Sequence, residues 1–448
     1  MFGNLIIFAN YLAQMKKFIE NIQNIWKVEE LRKRLTITLS LILVFRIGSF
    51  IVLPGVDSAR LGADGVEAGT IEGLLGLLSG GGFTNASFLA LGIMPYISAS
   101  IIMQLMGMAV PAVQKMQQEG ESGRKRINNY TRILTIIICA VQAPSYLTLY
   151  VGSRNAIPAE FIDSPLWWIQ SVLVLVAGAM FAVWLGERIT DKGVGNGISL
   201  LITVGIIARL PQSFVAETVN NAPLTVIIEV VVFMLIVMAT VLVVMGVRKI
   251  PMNYAKRVAG ARGEAVGAQG ARSYLPIKVN SSGVMPIIFA QAIMTVPVMF
   301  MQSSFGIFGF WYNLVLAILI IVFTYFYTAI MINPKKMADD LKRNGGFIPG
   351  VRPGDETANF IDDLVSKITL PGSLFLAIIA IIPAIAVLFG VGDGFALFFG
   401  GTSLLIMVGV VLDTLQQIES YLLNRHYDGL MEGTKIRGRR VQNESSGM

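Results

Sequence analysis

Residues 92–103 read GIMPYISASIIM and residues 283–294 read GVMPIIFAQAIM. Gly, Met, Pro, Ile, Ala, Ile and Met recur in register between the two. Each stretch opens an apolar helix with proline in its first turn, where a missing N–H costs little. What such a duplication means depends on the direction in which each copy runs through its surroundings.

Those surroundings are a membrane. Hydrophobic residues make up 54% of the 448-residue chain and charged residues 14%, against about 25% charged in a typical soluble domain. The charges gather between long apolar runs, and about 20 apolar residues suffice to cross a bilayer. Ten runs are long enough: 35–53, 86–110, 131–151, 166–186, 197–215, 224–246, 283–302, 311–332, 370–390 and 395–417. The expected fold is an all-α polytopic membrane protein with ten transmembrane helices.

Lysine and arginine set the orientation, since they collect on the cytoplasmic side. Of the 35, all but Arg46, Arg60, Arg154 and Arg209 fall at the amino end, at or beside the even-numbered connections, or in the carboxyl tail. Both termini are therefore expected in the cytoplasm. The span holding Gly92 then runs inward and the span holding Gly283 runs outward, which is the mark of an inverted-topology repeat. Chance likeness between two apolar helices is the competing explanation, and the shared Gly-x-Met-Pro weighs against it. The expected arrangement is two inverted, pseudosymmetric halves of five spans, 35–215 and 224–417. They are flanked by an amino-terminal segment 1–34 and a tail 418–448, with long cytoplasmic loops at 247–282 and 333–369.

Ahead of the first span, Leu5, Phe8, Leu12, Met15, Ile19, Ile22 and Trp26 recur at helical spacing. This amphipathic face suits the cytoplasmic membrane interface or a partner helix. The run 71–83 (IEGLLGLLSGGGF) is apolar but too short to cross. Either it is an external loop, or it tucks into protein, because irregular backbone is not tolerated against lipid.

Chemistry-bearing motifs are scarce. Cys139 stands alone in an apolar run, and His426 has no second His or Cys with which to hold a metal. Gly193–Ser199 (GVGNGIS) lacks the Lys-Ser/Thr of a phosphate loop and reads as a turn into the fifth span. Ser98, Ser100, Gln104, Gln142 and Gln291 either bridge helices or act in gating. Neither a nucleophile–base pair nor a cofactor motif emerges, so no enzyme and no cofactor is expected.

Taken together, GIMPYISASII, GVGNGIS, NYAKR, SYLPIKVNSSGVMPIIFA, FIPGVRPG and GGTSLLI resemble the SecY family, the channel subunits of the bacterial protein translocase. The resemblance runs from the second span to the tenth. It implies an hourglass pore that conducts unfolded secretory chains and releases transmembrane segments sideways into membrane lipid. By motif, the pore ring falls on Ile93, Ile97, Ile198, Ile202, Ile288 and Ile406. Ile97 and Ile288 are also equivalent positions of the internal repeat. The plug falls on about 71–82, with Leu74, Leu75, Gly76, Leu77 and Leu78. The lateral gate, between the second and seventh spans, falls on Ser98, Gln104, Gln142, Gln291 and Val296. Lys256, Arg257 and Arg352 match positions that meet a cytoplasmic motor resembling SecA or the ribosome. SecE-like and SecG-like subunits, signal-bearing precursor chains and the bacterial inner membrane complete the implied setting. Two departures stand out: the loop 258–273 is long and Ala/Gly-rich, and the family's start resembles Met15–Phe18, which leaves residues 1–14 as either an extension or the product of a mis-set start codon.

A secondary transporter built from inverted repeats is the alternative, and a membrane scaffold a third. The transporter would favour buried ionisable groups at mid-membrane, where this chain is rich in isoleucine and small residues.

Overall fold

The computed structural model describes residues 28–63, 70–254, 273–300 and 306–433. The amphipathic stretch up to Trp26, the pair Lys256 and Arg257, most of the loop after them and the end of the tail lie outside the described residues.

Helices dominate. In chain order they are α1 (Glu29–Gly48), α2 (Ile71–Leu78), α3 (Met94–Ala109), α4 (Pro111–Gln118), α5 (Glu121–Tyr146), α6 (Pro165–Lys192), α7 (Gly197–Asn220) and α8 (Pro223–Val244). There follow α9 (Met285–Phe300), α10 (Phe310–Met331), α11 (Pro334–Arg343), α12 (Asp355–Leu388) and α13 (Gly401–Gly433), with single turns at Ser58–Ala63, Ala159–Ile162 and Asp393–Ala396. Among the described residues, seven helices are long and apolar enough to cross a membrane, or up to eight if α3 and α4, bent by 103°, count as one broken span. α1 opens with Glu29, Glu30, Arg32, Lys33 and Arg34, and α3 and α9 have 16 residues each.

Local chemistry explains the boundaries. α6 and α8 start on Pro165 and Pro223, where the fixed φ suits a first helical residue. The GVGNGIS turn opens α7 as expected: the Asn196 side chain caps it, accepting from the Ser199 N–H at 3.4 Å. α8 is apolar on nearly every side, with Leu224, Ile227, Met234, Leu235 and Leu242 exposed, as a helix bathed in hydrocarbon should be.

Two expectations need correction. The second span does not begin at residue 86, because helix starts only at Met94. Gly80, Gly81, Ala86 and Gly92 all take positive φ, which α-helix excludes. Residues 79–93 instead form a hook whose backbone pairs with the chain leaving α1: Leu53 N donates to Ala86 O at 2.9 Å and Phe88 N to Ile51 O at 3.0 Å. Nor is the chain purely helical. The loops 247–282 and 333–369 contribute β1 (Val247–Tyr254), β2 (Ser273–Lys278) and β3 (Gly346–Phe347), an antiparallel sheet of order β2-β1-β3. Val247, Ile250 and Met252 had read as part of a cytoplasmic loop, but β-branched and apolar residues that find a partner strand pair as a sheet. Asn253 and Tyr254 of NYAKR pair with Phe347 and Gly346 beside FIPGVRPG, so two separate motifs form one body.

Apolar packing divides along the chain. One buried cluster draws on Leu53 to Ala179 and includes Cys139, Tyr146, Leu147 and Leu175. Another draws on Ile287 to Val408, with Tyr312, Ile320, Leu376 and Leu404. A third lies between them and takes residues from both, Phe45 to Ile206 on one side and Ala386 to Val410 on the other. The sheet has its own small core with α11 and the start of α12, built on Ile250, Met252, Ile277, Leu341, Ile348, Ile361 and Val365.

Ile361 is fully buried at the centre of that small core. Ile361→Ala should cost about 2–5 kcal/mol locally. Hydrogen exchange should quicken across 247–254 and 273–278 and stay unchanged in α6 and α7; equal protection in both variants would show that the sheet does not rest on this core.

Candidate functional site: an apolar constriction under a short helix

The shared cluster is where the sequence-predicted ring residues meet. Ile93, Ile202 and Ile406 are buried in it, and Ile97, Ile198 and Ile288 pack against it partly buried. α3 delivers Ile97, with Ile93 as its cap residue; α7 delivers Ile198 and Ile202; α9 delivers Ile288; α13 delivers Ile406. Ile198 stands at the margin, packed against Gly186 of α6.

The repeated stretches explain the placing of two of these helices. Gly92 and Gly283 both take left-handed φ, +52° and +64°, a conformation that costs other residues dearly. Helix then begins two residues on in each copy, at Met94 and at Met285, with Pro95 and Pro286 in second place. The same turn therefore projects Ile97 and Ile288 from equivalent helical positions.

The run 71–83 is no loose external loop. Its first part is the helix α2, capped by Thr70, whose hydroxyl accepts from Gly73 N at 3.3 Å. Leu74, Leu77 and Leu78 lie against the isoleucine cluster, while Leu75 turns to the cluster built on Leu53 to Ala179. Gly76 is buried beneath Thr84. The space left among Leu78, Ile93, Ile97 and Ile202 is a cavity of about 10 Å³, room for about one water molecule. Close contact with α7 depends on Gly205, since a Cβ there would stand 3.0 Å from both Gly80 N and Leu78 O.

The hook after α2 holds its polar backbone groups with side chains from several helices. Arg46 Nη1 of α1 donates to Gly80 O at 2.6 Å. Arg209 of α7 donates to the Thr84 hydroxyl. A π-helical turn, Leu147–Gly152, extends α5 and brings two phenols to the same loop: Tyr146 OH donates to Phe83 O at 2.7 Å and Tyr150 OH to Thr84 O at 3.3 Å. Arg154 pairs with Glu72 at 2.8 Å. The sequence had marked these arginines only as exceptions to the charge asymmetry, and that exception was the available signal.

The predicted gate residues divide. α3 and α9 approach each other sparsely, through an apolar patch in which Ile101, Phe289 and Tyr327 are buried, with Ile97, Leu105 and Ile288 beside them. Gln104 joins this seam, accepting from Tyr327 OH of α10 at 2.6 Å. Gln291 accepts instead from Thr402 of α13 at 3.0 Å, on the inner side of α9. Ser98 is half-buried on α3, and Gln142 is exposed on α5. Val296 lies in α9, but its side chain is outside the described residues. Arg352 is exposed at the sheet, 3.8 Å from Glu356. Among the described residues no group of His, Cys, Asp and Glu could hold a metal.

These features define a class: a polytopic helical membrane protein with an isoleucine-rich apolar cluster between two cores and a short helix seated on it. The SecY family model matches residues 87–415. The protein translocase subunit SecY of Halalkalibacterium halodurans is 41% identical over 441 residues, covering 92% of this chain and 99% of that one. Among solved structures, a SecY channel whose plug domain stabilises the closed state and maintains a membrane seal superposes with a TM-score of 0.58 at 19% identity, covering 90% of this chain and 95% of that chain. Sec61 from the canine ribosome–channel complex of the endoplasmic reticulum gives 0.56 at 19% identity, with the same coverage. The chain belongs to the SecY family, whose members are channel subunits of the protein translocase and not enzymes.

Gly205→Val should push α2 off α7. A cysteine introduced at Ser79, buried in the parent, should then react with a membrane-impermeant maleimide at least about tenfold faster, as the loss of roughly 1.4 kcal/mol of packing would give. An unchanged rate would show that α2 is not held through this contact.

Proposed function

We propose that this chain is the pore of a bacterial inner-membrane translocase, passing unfolded secretory chains between Ile93, Ile97, Ile198, Ile202, Ile288 and Ile406. What supports this most is the seating of α2 on the isoleucine cluster at the junction of two otherwise separate cores. On this reading α2, with Leu74 to Leu78, is the plug. The ten-span arrangement in two inverted halves, with both termini cytoplasmic, completes the proposal. Its support is the charge asymmetry and the matched helix starts at Gly92 and Gly283.

The physics fits a substrate that changes at every residue. Branched apolar side chains can close by dewetting and fit around a chain without demanding a sequence. Sideways release would use the seam between α3 and α9, where Gln104 and the patch around Ile101 and Phe289 meet. A segment there chooses between water and lipid by its own hydropathy. Leu contributes roughly −0.5 kcal/mol and a central charge about +3 on the insertion scale, so several leucines outweigh one charge. No catalytic group is needed.

The push comes from outside the chain. The sheet carrying Asn253, Tyr254 and Phe347, with Arg352 exposed beside it, is the proposed docking body for a SecA-like motor or a ribosome; Lys256 and Arg257, which follow β1 in the sequence, are proposed to contribute to the same docking. SecE-like and SecG-like subunits are the proposed membrane partners.

Photoreactive residues at Ile97 and, separately, at Ile406 should crosslink a stalled precursor in membranes supplied with SecA and ATP. The adducts should vanish when the precursor's signal sequence is deleted. Engaged complexes with no adduct at either position would rule out the ring.

A further inference from the structure

Of the 35 lysines and arginines, Arg46, Arg60, Arg154 and Arg209 stand apart from the cytoplasmic segments. The fold brings three of these four onto one segment, residues 72–84, which spans most of α2 and the start of the hook. Arg46 binds the Gly80 carbonyl at 2.6 Å, Arg209 binds the Thr84 hydroxyl, and Arg154 binds Glu72 at 2.8 Å. Arg154 also lies over the Tyr150 ring at 4.1 Å, and the Tyr150 hydroxyl returns to the Thr84 carbonyl at 3.3 Å. Among the described residues, neither Arg46 nor Arg209 has an acidic side chain within ion-pairing distance. Charges inside a membrane protein are expensive and are kept for a use. Among the described residues, the hydrogen-bond acceptors of these two are groups of the hook itself.

We propose that Arg46 and Arg209, assisted by Arg154, form a cationic latch that holds the plug segment in the mouth of the pore. This rests on the reading of α2 as a plug. The acceptors decide how the latch behaves. A bond from an ionised donor to a neutral oxygen shifts an equilibrium by about ten- to a hundredfold. A buried arginine–carboxylate pair would be far costlier to break, because each partner would be left as an uncompensated charge. The Gly80 carbonyl and the Thr84 hydroxyl can instead be replaced by water as the pore fills. The latch is thus firm in a dry pore and weak in a wet one, and an entering chain that brings water with it loosens both bonds together.

Resting ion leak through the chain, reconstituted in proteoliposomes with its SecE-like and SecG-like subunits and without precursor, provides the test. Deletion of residues 71–78 is the reference for a lost plug and should raise the leak. Arg46→Gln and Arg209→Gln should each raise it by about tenfold, the double variant should not exceed the deletion, and Arg209→Lys should restore part of the seal. Thr84→Val, which keeps the guanidinium and removes its acceptor, should leak like Arg209→Gln. If the deletion leaks while the arginine and Thr84 variants stay as tight as the parent, the latch is refuted and the pore reading stands. If the deletion itself stays sealed, the reading of α2 as a plug falls and the latch falls with it.

Discussion

Irregular backbone at membrane depth must find its hydrogen-bond partners inside the protein, and residues 79–93 are where this chain meets that demand. Much else follows from it. The Gly-rich hook forces the start of α3 out to Met94, which sets the register of Ile93 and Ile97. Its carbonyls draw in Arg46 from α1 and the two tyrosines from α5. The π turn in α5 fits the same need, since one widened turn lets Tyr146 and Tyr150 both face the loop. The cluster of rings around Phe83, within 4.8 Å of Tyr146 and 4.6 Å of Tyr150, fixes the hook from the outer side.

The helical, membrane-length character of most of the chain was legible in the sequence because its signal is one-dimensional. Apolar run length marks a candidate span, and seven or up to eight of the ten are membrane-length helices among the described residues. The Gly-x-Met-Pro of residues 92 and 283 marks a helix start that the backbone bears out in both copies. All six ring positions, Ile93, Ile97, Ile198, Ile202, Ile288 and Ile406, needed the family resemblance; the repeat adds that Ile97 and Ile288 are equivalent positions. What stayed hidden depends on pairing at a distance. Asn253 meets Phe347 only when two loops fold together, and nothing local in either announces a strand. The partners of Arg46 and Arg209 are a backbone carbonyl and a hydroxyl, which no charge count can find. For the amides, hydropathy gave candidates but no direction: Gln104 faces α10, Gln291 faces α13, and Gln142 is exposed.

The cytoplasmic body shows a different economy. Its core is small, yet it ties β1 and β2 to the first turns of α12, and α12 runs without interruption from Asp355 to Leu388. The same helix continues to Leu376, Ile379 and Ala380 in the second core, so the sheet and that core share one element, in which Pro371 and Pro383 each lack a ladder N–H.

The sparse seam between α3 and α9 has a thermodynamic consequence. Two apolar surfaces that part in water lose the hydrophobic effect, but surfaces that part into acyl chains exchange one hydrocarbon for another. Ile101, Phe289 and Leu105 would give up contacts with each other and take up equivalent contacts with lipid tails. Beside this seam the bond between Tyr327 and Gln104 ties α3 to α10, and its loss has no such replacement. If the seam parts toward lipid as proposed, the cost falls on that hydrogen bond and on the lipid that replaces the apolar contacts, so bilayer composition would tune how readily it parts.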